Sequence, residues 1–246
     1  MRPLRMMRIA ISLLAAGLIA GCAVAPDPDS LDFDPFESQN RAAHAFNREV
    51  DRAVYGPVAR AWGTNVPAPV RRTITNLRFN WKLPGETIHY VLQGKPEQSL
   101  RTAMRFAVNT TFGLGGLADP ATQMGLEHRE TNFDETFHVW GIPEGAYVEI
   151  PLGGPGTQRD WNSWMLDILL DPAFLLLPVE AADGLVVASG LDIVNDRYVL
   201  DPVLEELLYR SEDSYTAQRI SYWQNMRARL QGGTTLDQLE DIYADF

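Results

Sequence analysis

Residues 109–118 read NTTFGLGGLA and run directly into Asp119-Pro120. Three glycines in a turn beside apolar residues suit a phosphate cradle, a catalytic elbow, or an apolar loop with no chemistry of its own. A dinucleotide or P-loop cradle places its glycines between a strand and a helix N-terminus, where free N–H groups and the dipole attract anions. Upstream, however, Pro96 opens a segment in which Leu100, Met104 and Val108 fall on one side and Arg101 and Arg105 on another, the spacing of a helix. The glycines therefore follow a helix C-terminus, whose carbonyls repel phosphate. Ala118 stands where GxGxxG needs its third glycine, and no lysine follows as in a Walker loop. The phosphate reading fails on both counts.

Outward from that turn the chain reads as mostly helical. Asp34 is placed to cap a first helix with Pro35 at its first position, and Phe36, Ala43, Phe46, Val50 and Val54 form one stripe until Gly56-Pro57 interrupts. A second helix is expected over 67–79, with Val70, Ile74 and Leu77 as its buried face, and a third over 84–92, ending at Gly94. Residues 147–156, YVEIPLGGPG, have the composition of a short strand ending in a turn. Residues 161–195 are strongly apolar, but Asp167, Asp171, Pro172, Pro178 and Glu180 break every run. Such a segment fits a buried core, or a membrane interface with Trp161 and Trp164 at headgroup level. A last amphipathic helix over 202–230 ends at Gly232-Gly233.

At the N-terminus, Arg2, Arg5 and Arg8 precede the apolar run IAISLLAAGLIA and then Gly21-Cys22. The run has the length of a signal-peptide core and falls short of the ~20 residues of a spanning helix. Ile19-Ala20-Gly21-Cys22 resembles a bacterial lipobox, so residues 1–21 read as a lipoprotein signal peptide and Cys22 as the lipidation site. Cys22 is the only cysteine, so no disulfide framework competes for it. Several acyl chains, at ~0.8 kcal/mol per buried methylene, give stable attachment. Ala23, in place of an aspartate, favours the outer membrane. Residues 22–34 are then lipidated cysteine and acidic tether, 35–231 one domain, and 232–246 a separate tail. Within the tail, Leu236, Leu239, Ile242 and Tyr243 recur at helical spacing among Asp237, Glu240, Asp241 and Asp245. So short a helix needs a surface on which to bury its stripe, either its own domain or another protein.

The net charge is −11, and removing residues 1–21 takes away three arginines and no acid. A surface this acidic repels phosphodiester backbones, which excludes nucleic acid as a partner. Catalytic patterns are scarce: there is no GxSxG, and Ser189 lacks the first glycine of an elbow. His44, His89, His128 and His138 form no HExxH and read as surface or hydrogen-bonded residues. Glu127, Glu130, Asp134 and Glu135 read as a solvated face. No catalytic residue, metal ligand or cofactor is assigned.

Several stretches together resemble the MlaA, or VacJ, family of Gram-negative outer-membrane lipoproteins. They are Asp34-Pro35-Phe36-Glu37, Asn40-Arg41 and Phe46-Asn47; Val66-Pro67, Leu92-Gln93-Gly94, Arg105-Phe106 and Asn109-Thr110; residues 113–119, GLGGLAD; then Trp140-Gly141, Gly145-Ala146-Tyr147, Ile150-Pro151-Leu152, Gly154-Pro155, Arg159-Asp160 and residues 211–222. The pieces follow in order over nearly the whole mature chain. Leu83 stands before Pro84 where the family often carries glutamate.

The resemblance implies a mainly α fold, a ring-like arrangement of broken amphipathic helices lying in the membrane, with at most a short β element near 147–152. It implies removal of mislocalised phospholipid from the outer leaflet and its transfer to the soluble periplasmic lipid carrier of the Mla system, in association with a trimeric porin. Phe112, Gly113, Leu114, Gly115, Gly116 and Leu117 then become either a mobile apolar loop beside the lipid path or a plain helix-terminating turn. The tail either folds back or docks the carrier. Two rival classes stand beside this one: a structural lipoprotein bracing porin or peptidoglycan, and a lipid hydrolase, which would need a Ser-His-Asp or His-Asp cluster.

Overall fold

The computed structural model describes residues 34–173 and 177–231. The signal peptide, Cys22, most of the tether, and Leu236, Leu239, Ile242 and Tyr243 of the tail lie outside the described residues. Helices dominate, with one two-stranded sheet.

The first helix, α1 (Glu37–Val50), does not stop at Gly56-Pro57 as its sequence suggests. It widens into a π-turn (Asp51–Tyr55) and continues as α2 (Gly56–Asn65), with the Gly56 N–H donating to the Asp51 carbonyl five residues back. In an α-helical turn the Pro57 ring would strike the carbonyl four residues before it; the wider turn admits it. Asp34 does not cap α1 with its side chain. Its carboxylate instead accepts from Asn40 Nδ2 (2.9 Å), Arg219 (3.1 Å) and the Tyr215 hydroxyl.

The expected helices over 67–79 and 84–92 are one, α3 (Ala68–Leu92), which runs through Pro84. Proline removes one internal hydrogen bond, and tertiary contact overrides the loss. Gly94, at φ +71°, then turns the chain into α4 (Pro96–Thr111). The two helices form an antiparallel hairpin, joined by Ser99 Oγ donating to the Thr87 carbonyl (3.0 Å) and by Trp81 edge-on to Phe106.

Two short helices follow, α5 (Pro120–Gln123) and α6 (Phe133–Val139), capped by Asp119 and Asn132. The strand expected near 147 is present as β1 (Tyr147–Ile150), paired antiparallel with β2 (Gly154–Thr157) in the register Tyr147 to Thr157 and Ile150 to Gly154. The apolar stretch forms α7 (Gln158–Leu170) and α8 (Val179–Val199). The single helix expected over 202–230 is broken: α9 (Asp201–Glu205) passes into a second π-turn (Glu206–Arg210), and α10 (Ser214–Leu230) restarts under an Asp213 cap.

Among the described residues one apolar cluster has the character of an ordinary core: Tyr147, Tyr215, Trp223 and Met226 are buried together, with Tyr222 and Leu230 against them, so that α10 packs on the β1–β2 pair. Elsewhere helices meet closely through small residues: Gly63 of α2 lies against the ring of Tyr198 in α8, where a Cβ would overlap it.

Candidate functional site

The helical periods read from the sequence are right, but many apolar positions face outward: of the face expected to be buried, Ile74 and Leu77 are partly buried and Val70 is exposed. On α1 the buried side includes Asn40 and His44, while Phe46 and, in the π-turn, Val54 are exposed. On α3 and α4 the buried side carries Glu86, His89, Ser99, Thr102, Arg105 and Asn109, and Ile88, Val91, Leu100 and Met104 face outward. Trp164, Met165, Ile168, Leu169 and Leu170 of α7 and Val186, Val187 and Ile193 of α8 are likewise exposed. A water-facing surface this apolar is a contact surface.

What occupies the interior is hydrogen-bonded and paired, as buried polar groups must be. Asn40 and Asn47, on the helix that carries the first motif, act as strand partners for β1. Asn40 donates to the Tyr147 carbonyl (3.1 Å) and accepts from the Glu149 N–H (2.9 Å). Asn47 binds the Ile150 carbonyl (3.0 Å) and the Leu152 N–H (2.7 Å). Phe36 of the same motif is half-buried. Arg197 forks onto Asp51 in the first π-turn (2.6 and 2.8 Å), and Tyr209 of the second π-turn donates to the same carboxylate (2.7 Å).

The four acidic residues read as a solvated face divide. Asp134 and Glu135 are buried, Asp134 against Arg159 (2.7 Å) and Arg229 (3.0 Å), whereas Glu127 is exposed and Glu130 is half-buried. Helical spacing put them on neighbouring turns, but their arginine partners lie 25 and 95 residues away, beyond any local pattern.

The glycine stretch is tightly built. Gly115 N–H donates to the Thr110 carbonyl, Gly116 to Asn109 and Ala118 to Gly113, at 2.9 to 3.0 Å. Leu114, Gly115 and Gly116 all take positive φ, of 56°, 76° and 98°. A Cβ on Gly113 would collide with the Asn109 and Ala118 carbonyls, and one on Gly116 with the buried side chain of Asn80. The fold thereby projects Phe112 and Leu114 outward, 78% and 77% exposed, with Leu117 beside them.

Asp119 locks the base of this loop, accepting from Asn109 Nδ2 (2.9 Å), Thr122 N–H (3.2 Å) and Arg105, which is itself buried. Burial pushes the Asp119 carboxyl up, but the Thr122 hydrogen bonds, the Arg105 charge and Asn109 outweigh it and hold it below its ordinary value of 3.8. A carboxyl depressed on folding adds stability above its unfolded pKa and loses it as pH falls through the lower folded value. Asp119→Asn keeps a good cap but removes the charge facing buried Arg105, and is therefore expected to lower stability at neutral pH. It should also flatten the decline in stability below the ordinary carboxylate range. Denaturation midpoints from neutral to acidic pH measure this, and identical slopes in the two proteins would count against the assignment.

One arrangement matches the order a serine hydrolase requires. Ser214 Oγ lies 2.9 Å from His44 Nε2, and His44 Nδ1 lies 3.4 Å from Glu149 Oε2. The three are far apart in sequence, and no motif announces them. Ser214 Oγ also accepts from Arg48 Nη1 (3.2 Å), and all three residues are buried. Ser214 and His44 line a small cleft together with Arg41, Arg48, Asp213 and Tyr215, and the Ser214–His44 bond ties α10 to α1. His89 and His128 also pair with carboxylates, Asp167 (3.2 Å) and Glu86 (3.0 Å), as hydrogen-bonded rather than ligating residues. Among the described residues no three His, Cys, Asp or Glu side chains are grouped to hold a metal ion.

Among the described residues no helix is long and apolar enough to cross a membrane. Buried ion pairs inside and apolar side chains outside define a class: a helical protein whose outer surface is built for contact with another apolar surface. Within that class the chain belongs to the MlaA lipoprotein family, which matches residues 32–229. It is 33% identical over 236 residues to the intermembrane phospholipid transport system lipoprotein MlaA of Escherichia coli (strain K12), covering 92% of this chain and 91% of that one. It is 28% identical over 245 residues to the protein of the same name from Haemophilus influenzae, covering 96% of each. A solved structure, described as the structural basis for maintenance of bacterial outer membrane lipid asymmetry, superposes with a TM-score of 0.68 at 31% identity. The match covers 80% of this chain and 99% of that one.

Proposed function

We propose that this chain is an outer-membrane lipoprotein, held by acyl chains on Cys22, that takes mislocalised phospholipid from the outer leaflet and hands it to a soluble periplasmic carrier. The observation that carries the reading is the inverted distribution of side chains. An apolar exterior lets the helices lie among lipid tails, and a paired polar interior offers a route to a headgroup. The relatives' names supply the cargo, phospholipid, and its passage between membranes. In this reading the helices form a ring, and Phe112, Leu114 and Leu117 stand beside the lipid path. A trimeric porin and the carrier of the Mla system are the partners, and the tail bearing Leu236, Leu239, Ile242 and Tyr243 docks the carrier.

Photocrosslinking tests it. A photoreactive residue at Leu114, in the lipidated protein within its membrane, is expected to yield a phospholipid adduct that declines when the carrier is supplied. A bracing lipoprotein needs the same anchor and the same porin contact but no lipid in transit. An adduct unaffected by carrier would therefore favour bracing and sink the transport reading.

A further inference from the structure

Lys82 of α3 and Glu130, in the segment before α6, face one another at 3.6 Å, and their side chains are 38% and 41% exposed. Phe79 and, through its ring, Arg78 and His128 flank the pair, so it is open to solvent on one side and bounded by protein on the other. Burial pushes Glu130 up, but Lys82, His128 and Arg78 overcome this and hold it at about 2, so it is charged at any working pH.

The charges beside this pair are committed. Arg78 is paired with Asp192, which also accepts from Thr75, and His128 is paired with Glu86. Lys82 and Glu130 stand apart at a distance well beyond the 2.7–2.9 Å of a tight charge-assisted hydrogen bond. Phe79 completes the wall: its ring lies 5.2 Å from the Arg78 guanidinium, 5.9 Å from Lys82 Nζ and 5.0 Å from the His128 ring.

A loose, wetted pair of opposite charges is matched by a ligand that carries the same two charges a few ångströms apart. We propose that Lys82 and Glu130 form a headgroup station selective for zwitterionic amino-phospholipids, Lys82 taking the phosphate and Glu130 the ammonium. Phe79 offers the ammonium an aromatic face. An anionic glycerol headgroup satisfies Lys82 and leaves the Glu130 charge facing hydroxyls alone, which is the source of discrimination. The inference rests on the transport reading above and specifies its cargo.

The test uses the full lipidated chain in vesicles of equal phosphatidylethanolamine and phosphatidylglycerol, with the lipid retained on purification measured by mass spectrometry. The wild type is expected to retain phosphatidylethanolamine in excess. Glu130→Gln should shift the ratio toward phosphatidylglycerol by roughly tenfold, the equivalent of one charge-assisted hydrogen bond. The charge swap Lys82→Glu with Glu130→Lys should restore the excess, which also shows that neither position is needed merely for folding. Retained lipid of the same composition in wild type and Glu130→Gln overturns this inference and leaves transport standing. No phospholipid on the wild type overturns both.

Discussion

Arg159→Met is expected to lower the stability of the folded chain by about 3 kcal/mol, at the lower end of the range for breaking a buried ion pair. Arg159 is 2% exposed and Asp134 0%, so water cannot take over for the missing guanidinium. Arg159 also donates to the Ile142 carbonyl (2.9 Å), fixing the loop before β1. The loss stops short of the maximum because Arg229, half-exposed at the other carboxylate oxygen, remains. For a domain of this size the change corresponds to roughly 6–12 °C in melting temperature, measurable in detergent micelles. Adding Asp134→Leu removes the stranded charge, and the double variant is expected to recover most of the loss. A single variant within about 1 kcal/mol of wild type would mean that the pair contributes no more than a surface one.

Gly116→Ala is expected to cost about 2–4 kcal/mol, from left-handed backbone strain and overpacking together. The added Cβ would sit 2.5 Å from Asn80 Cβ and 2.6 Å from its amide nitrogen. Asn80 cannot withdraw cheaply, since it is buried and holds Thr110 Oγ1 at 3.1 Å. Gly115→Ala is the control: Gly115 shares the positive φ but has open space around its Cβ position, so it should carry only the strain, about 1–2 kcal/mol. Equal losses at the two positions would show that the approach of α3 to the loop is not what fixes Gly116. Because Phe112 and Leu114 are aimed by this turn, phospholipid crosslinking at Leu114 should fall with Gly116→Ala more than with Gly115→Ala.

Hydrophobic periodicity located most of the helices and the single strand, because both signals are local. Which face of each helix is inside is a property of the surrounding solvent. The spacing of Leu100 and Met104 against Arg105 is the same whether the outside is water or lipid. That ambiguity is why Val70, read as part of a buried face, is exposed, and why Leu100 and Met104 are exposed while Arg105 of the same helix is buried. Pro57 and Pro84 misled for another reason. Proline penalties are local averages, and here a π-turn absorbs one while tertiary packing holds the helix through the other. The interior pairs, Asp51 with Arg197, Asp192 with Arg78 and Asp134 with Arg159, join segments far apart in sequence, and nothing in a single chain marks them. The glycine stretch was legible as a turn after a helix. The close approach of Asn80 that fixes its shape was not.

The two π-turns also bear on how this chain tolerates gain and loss of single codons. A π-turn is an α-helix that has taken in one extra residue, so deleting one residue from 51–55 or from 206–210 can restore a plain helix with both flanks in their old phase. The extra residue is what turns Asp51 toward Arg197 and Tyr209, one partner from the last turn of α8 and one from the other π-turn. A deletion at either place alone therefore leaves the helix whole and the junction unpaired. The lengths of these two segments are thus coupled through one carboxylate: the junction at Asp51 stands only while both π-turns are present.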